Sequence, residues 1–289
     1  MEHYHEHEHS DIQINKYLDT FGKYALLTEQ EVARKTEELL NRHFDENFKP
    51  EVLKQIHGFS DLTSLNSHDT RESIWEMVET QVNGYEGVRP DMPNVAAICT
   101  YPVFVETVKQ ALTARDVKIA SVAGGFPSSQ TFPEVKVAET ALAVMAGADE
   151  IDTVMNLGYF LEEDYEALTD EIAEIKDSCR HATLKVILET GALQSVENIR
   201  RATILACYSG ADFVKTSTGK DYPGATPEAF YVMCSVLKQY NAQEGVKIGI
   251  KAAGGIRTAE DAVKYYTIVK EILGREWLNK DLFRIGASR

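Results

Sequence analysis

The sequence predicts a closed (β/α)₈ barrel carrying an N-terminal helical extension. Three observations predict it. Eight short apolar runs recur from about residue 57 to the end. A helical pattern of ten to eighteen residues follows each of the first seven. The runs are rich in Val, Ile, Leu and Ala without clean alternation, as parallel strands buried on both faces are. Repeated strand–helix units imply a parallel sheet, and eight of them imply closure.

The elements follow in order. Residues 1–10, MEHYHEHEHS, alternate His and Glu. Such a tract either binds a transition metal or is a disordered tail, and the second reading is preferred. Residues 11–56 read as a helical extension. There Thr28 caps and Glu31 completes a capping box, with Val32, Thr36, Leu39 and Leu40 at helical spacing. Residues 57–289 form the barrel. Its strands are FSDLTSL, NVAAICT, VKIASVAG, EIDTVMN, LKVILET, ADFVKTS, VKIGIKAA and LFRIGAS. No eighth helical pattern follows before Arg289. The expectation is a missing eighth helix and an uncovered apolar flank beside the last strand, screened by segment 28–48 or by a second copy of the chain.

Composition narrows the function. The chain of 289 residues holds 30 Lys and Arg against 45 Asp and Glu, a net charge of −15. That argues against nucleic acid or an anionic membrane as partner. An anionic substrate would need a local positive site. No run reaches membrane-spanning length, and the N-terminus lacks the apolar middle of a signal peptide. Cys99, Cys179, Cys207 and Cys234 form no CxxC pair, so reduced, buried thiols in a cytoplasmic protein are expected.

Three lysines interrupt apolar strands: Lys185, Lys215 and Lys251. One such lysine is more often a strand-end residue reaching water. Three on consecutive strands are different, because adjacent strands lie about 4.8 Å apart. Burial and a neighbouring ammonium both disfavour the charged form of an amine. A neutral lysine can attack a carbonyl and form a Schiff base. Asp152, between Ile151 and Val154, is either a structural ion pair or a proton-transfer partner of Lys251. Asp149 and Glu150 precede the run and are expected to face solvent. Asp61, at the end of the first strand, either caps a turn or binds substrate. Glycines crowd the last strand ends: Gly219 beside Lys220, Gly254 and Gly255 before Arg257, and Gly286 before Ser288. Together they suggest a phosphate clamp of backbone N–H groups.

DLTSLN (61–66), AAICTYP (96–102), EIDTVMN (150–156), LKVILETG (184–191), GADFVKTSTGK (210–220), KAAGGIRTAEDA (251–262) and RIGAS (284–288) resemble the deoxyribose-phosphate aldolase family in family order. The resemblance runs from about residue 57 to the end. It implies reversible cleavage of 2-deoxyribose 5-phosphate to acetaldehyde and glyceraldehyde 3-phosphate, without metal or cofactor. It implies Lys215 as the Schiff-base lysine, Lys251 as the lysine that perturbs it, and Asp152 as the acidic partner in proton relay. Asp61, Cys99, Lys185 and Thr218 fall at substrate positions. Gly219, Gly254, Gly255, Gly286 and Ser288 fall at the phosphate site. A homo-oligomer, a dimer first, is the expected assembly. Two other readings stand beside it: another Schiff-base barrel enzyme such as a transaldolase, and a metal-binding or phosphosugar-sensing protein on a barrel that has lost catalysis.

Overall fold

The computed structural model describes residues 16–288. The His/Glu tail and Arg289 lie outside the described residues. Eight strands close a barrel in chain order: β1 (Ser60–Thr63), β2 (Ala97–Thr100), β3 (Lys118–Ala123), β4 (Glu150–Val154), β5 (Thr183–Ile187), β6 (Phe213–Lys215), β7 (Gly249–Ala252) and β8 (Phe283–Ser288). Each of the eight junctions is parallel, and β8 closes onto β1 through pairs such as Asp61 with Gly286. Every residue of β2, β4 and β7 is buried, because one face meets the barrel interior and the other the helical layer. Alternation along the strands then decides which side chains enter the barrel.

The extension is helical over residues 16–22 and again over Glu29–Asn47. Thr28 and Glu31 form the expected capping box. The extension wraps the outside of the helical layer. Phe21 packs edge-on against Tyr165, and Tyr24 donates to the Tyr208 hydroxyl. The guanidinium of Arg200, itself buried, donates to the carbonyls of Phe21 and Tyr24 at 2.9 and 3.3 Å. Helix Glu29–Asn47 packs on helices Pro227–Glu244 and Ala259–Ile272, where Asn47 donates to Thr267 at 3.2 Å.

This placement corrects the expected role of segment 28–48. It covers the helices that follow β6 and β7, not the flank of β8. The foot of β8 is screened instead by helix Pro50–Gly58 and the residue after it. The Phe59 ring lies 5.8 Å from Phe283, which in turn meets Phe230. Gln55 on that helix accepts from Tyr266 at 2.8 Å. Phe283 and Ile285 are therefore buried, while towards the upper end Leu62, Thr63, Gly286 and Ala287 are half-buried and Ser288 is exposed.

Removing residues 1–48 strips Phe21, Tyr24 and Val32 from the helical layer and takes both carbonyl acceptors from Arg200 Nη1, leaving that guanidinium its pair with Glu197. Each buried apolar side chain contributes roughly 1.5–3 kcal/mol. The truncated chain is expected to aggregate or to melt about 10 °C lower, as read by scanning calorimetry. An unchanged Tm in a soluble truncated chain contradicts this account.

Candidate active site

The inward positions of β4 through β8 and of β1 hold seven ionisable side chains, each at most 4% exposed. Asp152 is their centre. Its Oδ2 accepts from Lys215 Nζ at 2.7 Å and from Lys251 Nζ at 2.9 Å. Its Oδ1 accepts from Lys185 Nζ at 2.9 Å. Lys251 also donates to Asp61 at 2.5 Å, and Lys185 to Glu150 at 2.5 Å. Arg284 ends the chain of contacts with a two-pronged bond to Glu150 at 2.7 and 3.0 Å and a bond to Asp61 at 2.8 Å.

The strand register explains why these groups meet. Asp152 pairs with Lys185 across β4 and β5, and Lys215 with Lys251 across β6 and β7. Lys251 pairs with Arg284 across β7 and β8. Below Lys215, Phe213 turns inward and lies over the Gly249 position; a Cβ there would sit 2.5 Å from the ring. The Arg284 guanidinium stands 5.7 Å from the same ring. Phe213 is buried and helps close the barrel floor.

Three carboxylates (Asp61, Glu150, Asp152) face four cationic groups (Lys185, Lys215, Lys251, Arg284). The set is electroneutral only when one of the four has lost its proton. Excess charge in a dry interior is costly, so the structure favours that loss. Of the four cationic groups, Lys215 is the one whose pKa falls. Burial pulls its pKa down and the Lys251 ammonium adds to the fall, against the opposing pull of Asp152. Lys251 and Lys185 behave oppositely. Burial works against their charge, but the carboxylates around each outweigh it and hold the pKa above the ordinary lysine value. Burial likewise opposes ionisation of Asp152, Asp61 and Glu150, yet the surrounding cations keep all three below the usual carboxylate range.

Lys215 and Lys251 reach the wall of a cavity of about 280 Å³ at the C-terminal rim. Thr218, Gly219 and Lys220 line it from the loop after β6. Gly254, Gly255 and Arg257 line it after β7, and Gly286 and Ser288 from β8. The predicted phosphate residues thus share one wall. Gly254 and Gly255 hold φ of 83° and 77°, a left-handed backbone that side chains strain. The Lys220 ammonium crosses the mouth to the carbonyl of Leu65. A larger cavity of about 690 Å³ opens at the opposite rim around Arg89, Arg115 and Lys280, and no side chain of the buried cluster lines it.

Other expectations need correction. Glu150 does not face solvent: it begins β4, two residues before Asp152, and so points to the same interior side. Asp61 and Lys185 are fully buried beneath the cavity and are not among its lining residues. Cys99 is also buried below the wall. It packs with Leu65, Ala97, Ala120 and Val122, an apolar half of the interior on β1–β3 facing the ionic half. Burial, with the Asp152 charge nearby, pushes its thiol up to about 11. Two residues escaped sequence reading. Arg284 carried the same signal as the lysines, a charge inside an apolar run. Glu189 carried none; it sits just past β5 with φ 54° and binds Thr218.

A (β/α)₈ barrel that holds one deprotonation-prone lysine at its mouth defines a carbonyl enzyme of the amine-nucleophile class. The family described as DeoC/LacD family aldolase matches residues 59–274, and the chain belongs to that family. It is 42% identical to a Caenorhabditis elegans relative over 83% of this chain and 79% of the other. It is 40% identical to the deoxyribose-phosphate aldolase of Homo sapiens, over 82% of this chain and 77% of that one. A solved deoxyribose phosphate aldolase from Aeropyrum pernix, described as a unique tetramer, superposes with a TM-score of 0.64 at 26% identity, covering 87% of this chain and 93% of that one.

Lys215 lowers stability for the sake of its neutral form. Its folded pKa lies below the unfolded value of about 10.4, so the cost is complete below the folded pKa and fades as pH rises towards 10.4. Lys215→Met is therefore expected to melt at or above the parent Tm at neutral pH. The gap should be widest at the acid side and close towards pH 10. A variant that melts well below the parent at neutral pH contradicts the charge-balance account.

Proposed function

We propose that this chain cleaves 2-deoxy-D-ribose 5-phosphate reversibly to acetaldehyde and D-glyceraldehyde 3-phosphate through a Schiff base on Lys215. The observation that carries the reading is the buried cluster, which is neutral when Lys215 alone is unprotonated. The aldolase family and the names of the relatives support the substrate.

In the cleavage direction, neutral Lys215 Nζ attacks the aldehyde carbon of the open-chain sugar. Loss of water gives an iminium. That cation is the electron sink: the 3-hydroxyl loses its proton, the C2–C3 bond breaks, and its electron pair becomes an enamine. Glyceraldehyde 3-phosphate leaves. The enamine carbon then takes a proton, and water releases acetaldehyde from the amine. Asp152 touches both Lys215 and Lys251, so protons pass along this pair, directly or through a water. Lys251 holds a proton because its pKa is raised. The glycine wall with Lys220, Arg257 and Ser288 receives the phosphate, supplying the local positive site an acidic protein needs. The iminium does the work that an electron-withdrawing cofactor does elsewhere, so the reaction as written calls for no metal or organic cofactor.

Among the described residues no helix is long and apolar enough to cross a membrane. Four free, buried cysteines support a reducing, cytoplasmic compartment. Helix Pro133–Ala146 exposes Val135, Leu142 and Met145 on one face, next to exposed Phe132. That apolar stripe, together with the tetramer of the Aeropyrum pernix relative, supports a homo-oligomer with a dimer as the simplest form.

Borohydride reduction with acetaldehyde, followed by peptide mass mapping, tests the mechanism. The adduct is expected on Lys215. Its appearance on Lys185 or Lys251 with Lys215 unmodified would overturn the assignment. The clamp has its own test. Gly255→Val strains a left-handed backbone in otherwise open space, so it should disturb the anion wall and little else. The KM for glyceraldehyde 3-phosphate is expected to rise about tenfold or more while the KM for acetaldehyde holds. Equal rises in both would mean a general folding defect.

A further inference from the structure

Glu189 is 2% exposed and lies immediately beyond β5. Its backbone is left-handed, φ 54° and ψ 60°, a conformation that costs a residue with a side chain. Both neighbours are pinned to the next strand: Leu188 N–H donates to the Lys215 carbonyl and Thr190 N–H to that of Thr216, each at 2.9 Å. The short helix that follows presses on the loop after β6, since a Cβ on Gly191 would meet the Pro223 carbonyl at 2.4 Å. The outcome is a carboxylate aimed at Thr218. Glu189 Oε1 accepts from Thr218 N–H at 3.2 Å, and Oε2 from the Thr218 hydroxyl at 2.6 Å. Burial raises the pKa of Glu189, and the two bonds from Thr218 oppose that rise.

Counting the hydrogen-bonding capacity of Thr218 gives a direction. A hydroxyl has one proton and two lone pairs. The proton goes to Glu189. One lone pair accepts from Lys220 N–H at 3.2 Å. One lone pair remains, and Thr218 lines the cavity together with Lys215, Gly219 and Lys220. A group lying against it must bring its own proton.

We propose that Glu189 is a positioning residue that fixes the Thr218 hydroxyl as a hydrogen-bond acceptor, so that the site selects substrates with a hydroxyl on the carbons between carbonyl and phosphate. The inference rests on the phosphosugar reading above and deepens it. Glyceraldehyde 3-phosphate carries such a hydroxyl, and 3-oxopropyl phosphate is the same molecule without it. Glu189→Gln separates the roles. Its carbonyl oxygen can still accept from Thr218 N–H, but its NH₂ then faces Oγ1 and turns the hydroxyl proton towards the cavity.

The measurement is the ratio of kcat/KM for glyceraldehyde 3-phosphate over 3-oxopropyl phosphate, with acetaldehyde as donor. The parent enzyme should favour the hydroxylated aldehyde about tenfold, the scale of one hydrogen bond. Glu189→Gln should bring the ratio close to one while borohydride still traps acetaldehyde on Lys215 at the parental rate. Thr218→Val should likewise bring the ratio close to one, and Glu189→Gln with Thr218→Val should match the ratio of Thr218→Val alone, because both changes act through one hydroxyl. Glu189→Asp, which keeps the charge one methylene shorter, serves if the Gln variant is unstable, and should lower the ratio partway. A Gln or Asp variant with the parental ratio overturns the proposal, as do additive effects in the double variant. Failure of the parent enzyme to trap acetaldehyde would instead overturn the functional reading, and this inference with it.

Discussion

One carboxylate oxygen organises the site. Asp152 Oδ2 accepts from two lysines at once, and its partner oxygen holds a third. Remove that anion and three amines face one another in a dry barrel. Keep it, and the remaining question is which amine goes without a proton. The neighbours decide. Lys251 and Lys185 each hold a further carboxylate within 2.5 Å, whereas Lys215 has Asp152 alone. Of the two amines that reach the cavity wall, Lys215 is the one with fewer anionic partners. A buried ion cluster contributes little to net stability; here its product is a proton distribution.

The same cluster sets the division of labour across the interior. Strands β4 to β8 supply charge, while β1 to β3 supply Ala97, Cys99, Ala120 and Val122. Asp61 is the exception, reaching from β1 into the ionic half. The apolar half strengthens every charge interaction opposite it by excluding water. The extension packs outside the helices that follow β4, β5, β6 and β7, the sector behind the charged strands.

Much of this could be read from the chain. The strands announced themselves as apolar runs, and Lys185, Lys215, Lys251 and Asp152 as charges that had no business inside them. The same rule applied to Arg284 would have found the fourth cation. Glu150 was misplaced by a boundary: one residue decides whether a side chain precedes a strand or enters the barrel with it, and its two-residue spacing from Asp152 was the available clue. Asp61 and Lys185 have the right neighbours but the wrong depth, because a one-dimensional pattern carries no height along the barrel axis. Glu189 was illegible for a different reason. Its role depends on a left-handed residue past a strand end, which no periodicity reports. The cover over the foot of β8 was misassigned to the long helix Glu29–Asn47, although Val52 and Ile56 on the shorter one face the core.

The packing of Phe213 on Gly249 has a consequence for traffic. With that ring and the Arg284–Glu150 bond filling the lower barrel, the Lys215 amine opens onto the rim cavity, and the strap from Lys220 to Leu65 lies beside it. In the proposed reaction both aldehydes and the hydrolytic water pass through that cavity of about 280 Å³. A phosphate held at the glycine wall, as proposed, would be a cork. An enamine on Lys215 would be sheltered while the cork is in, and molecules would enter and leave the cavity one after another.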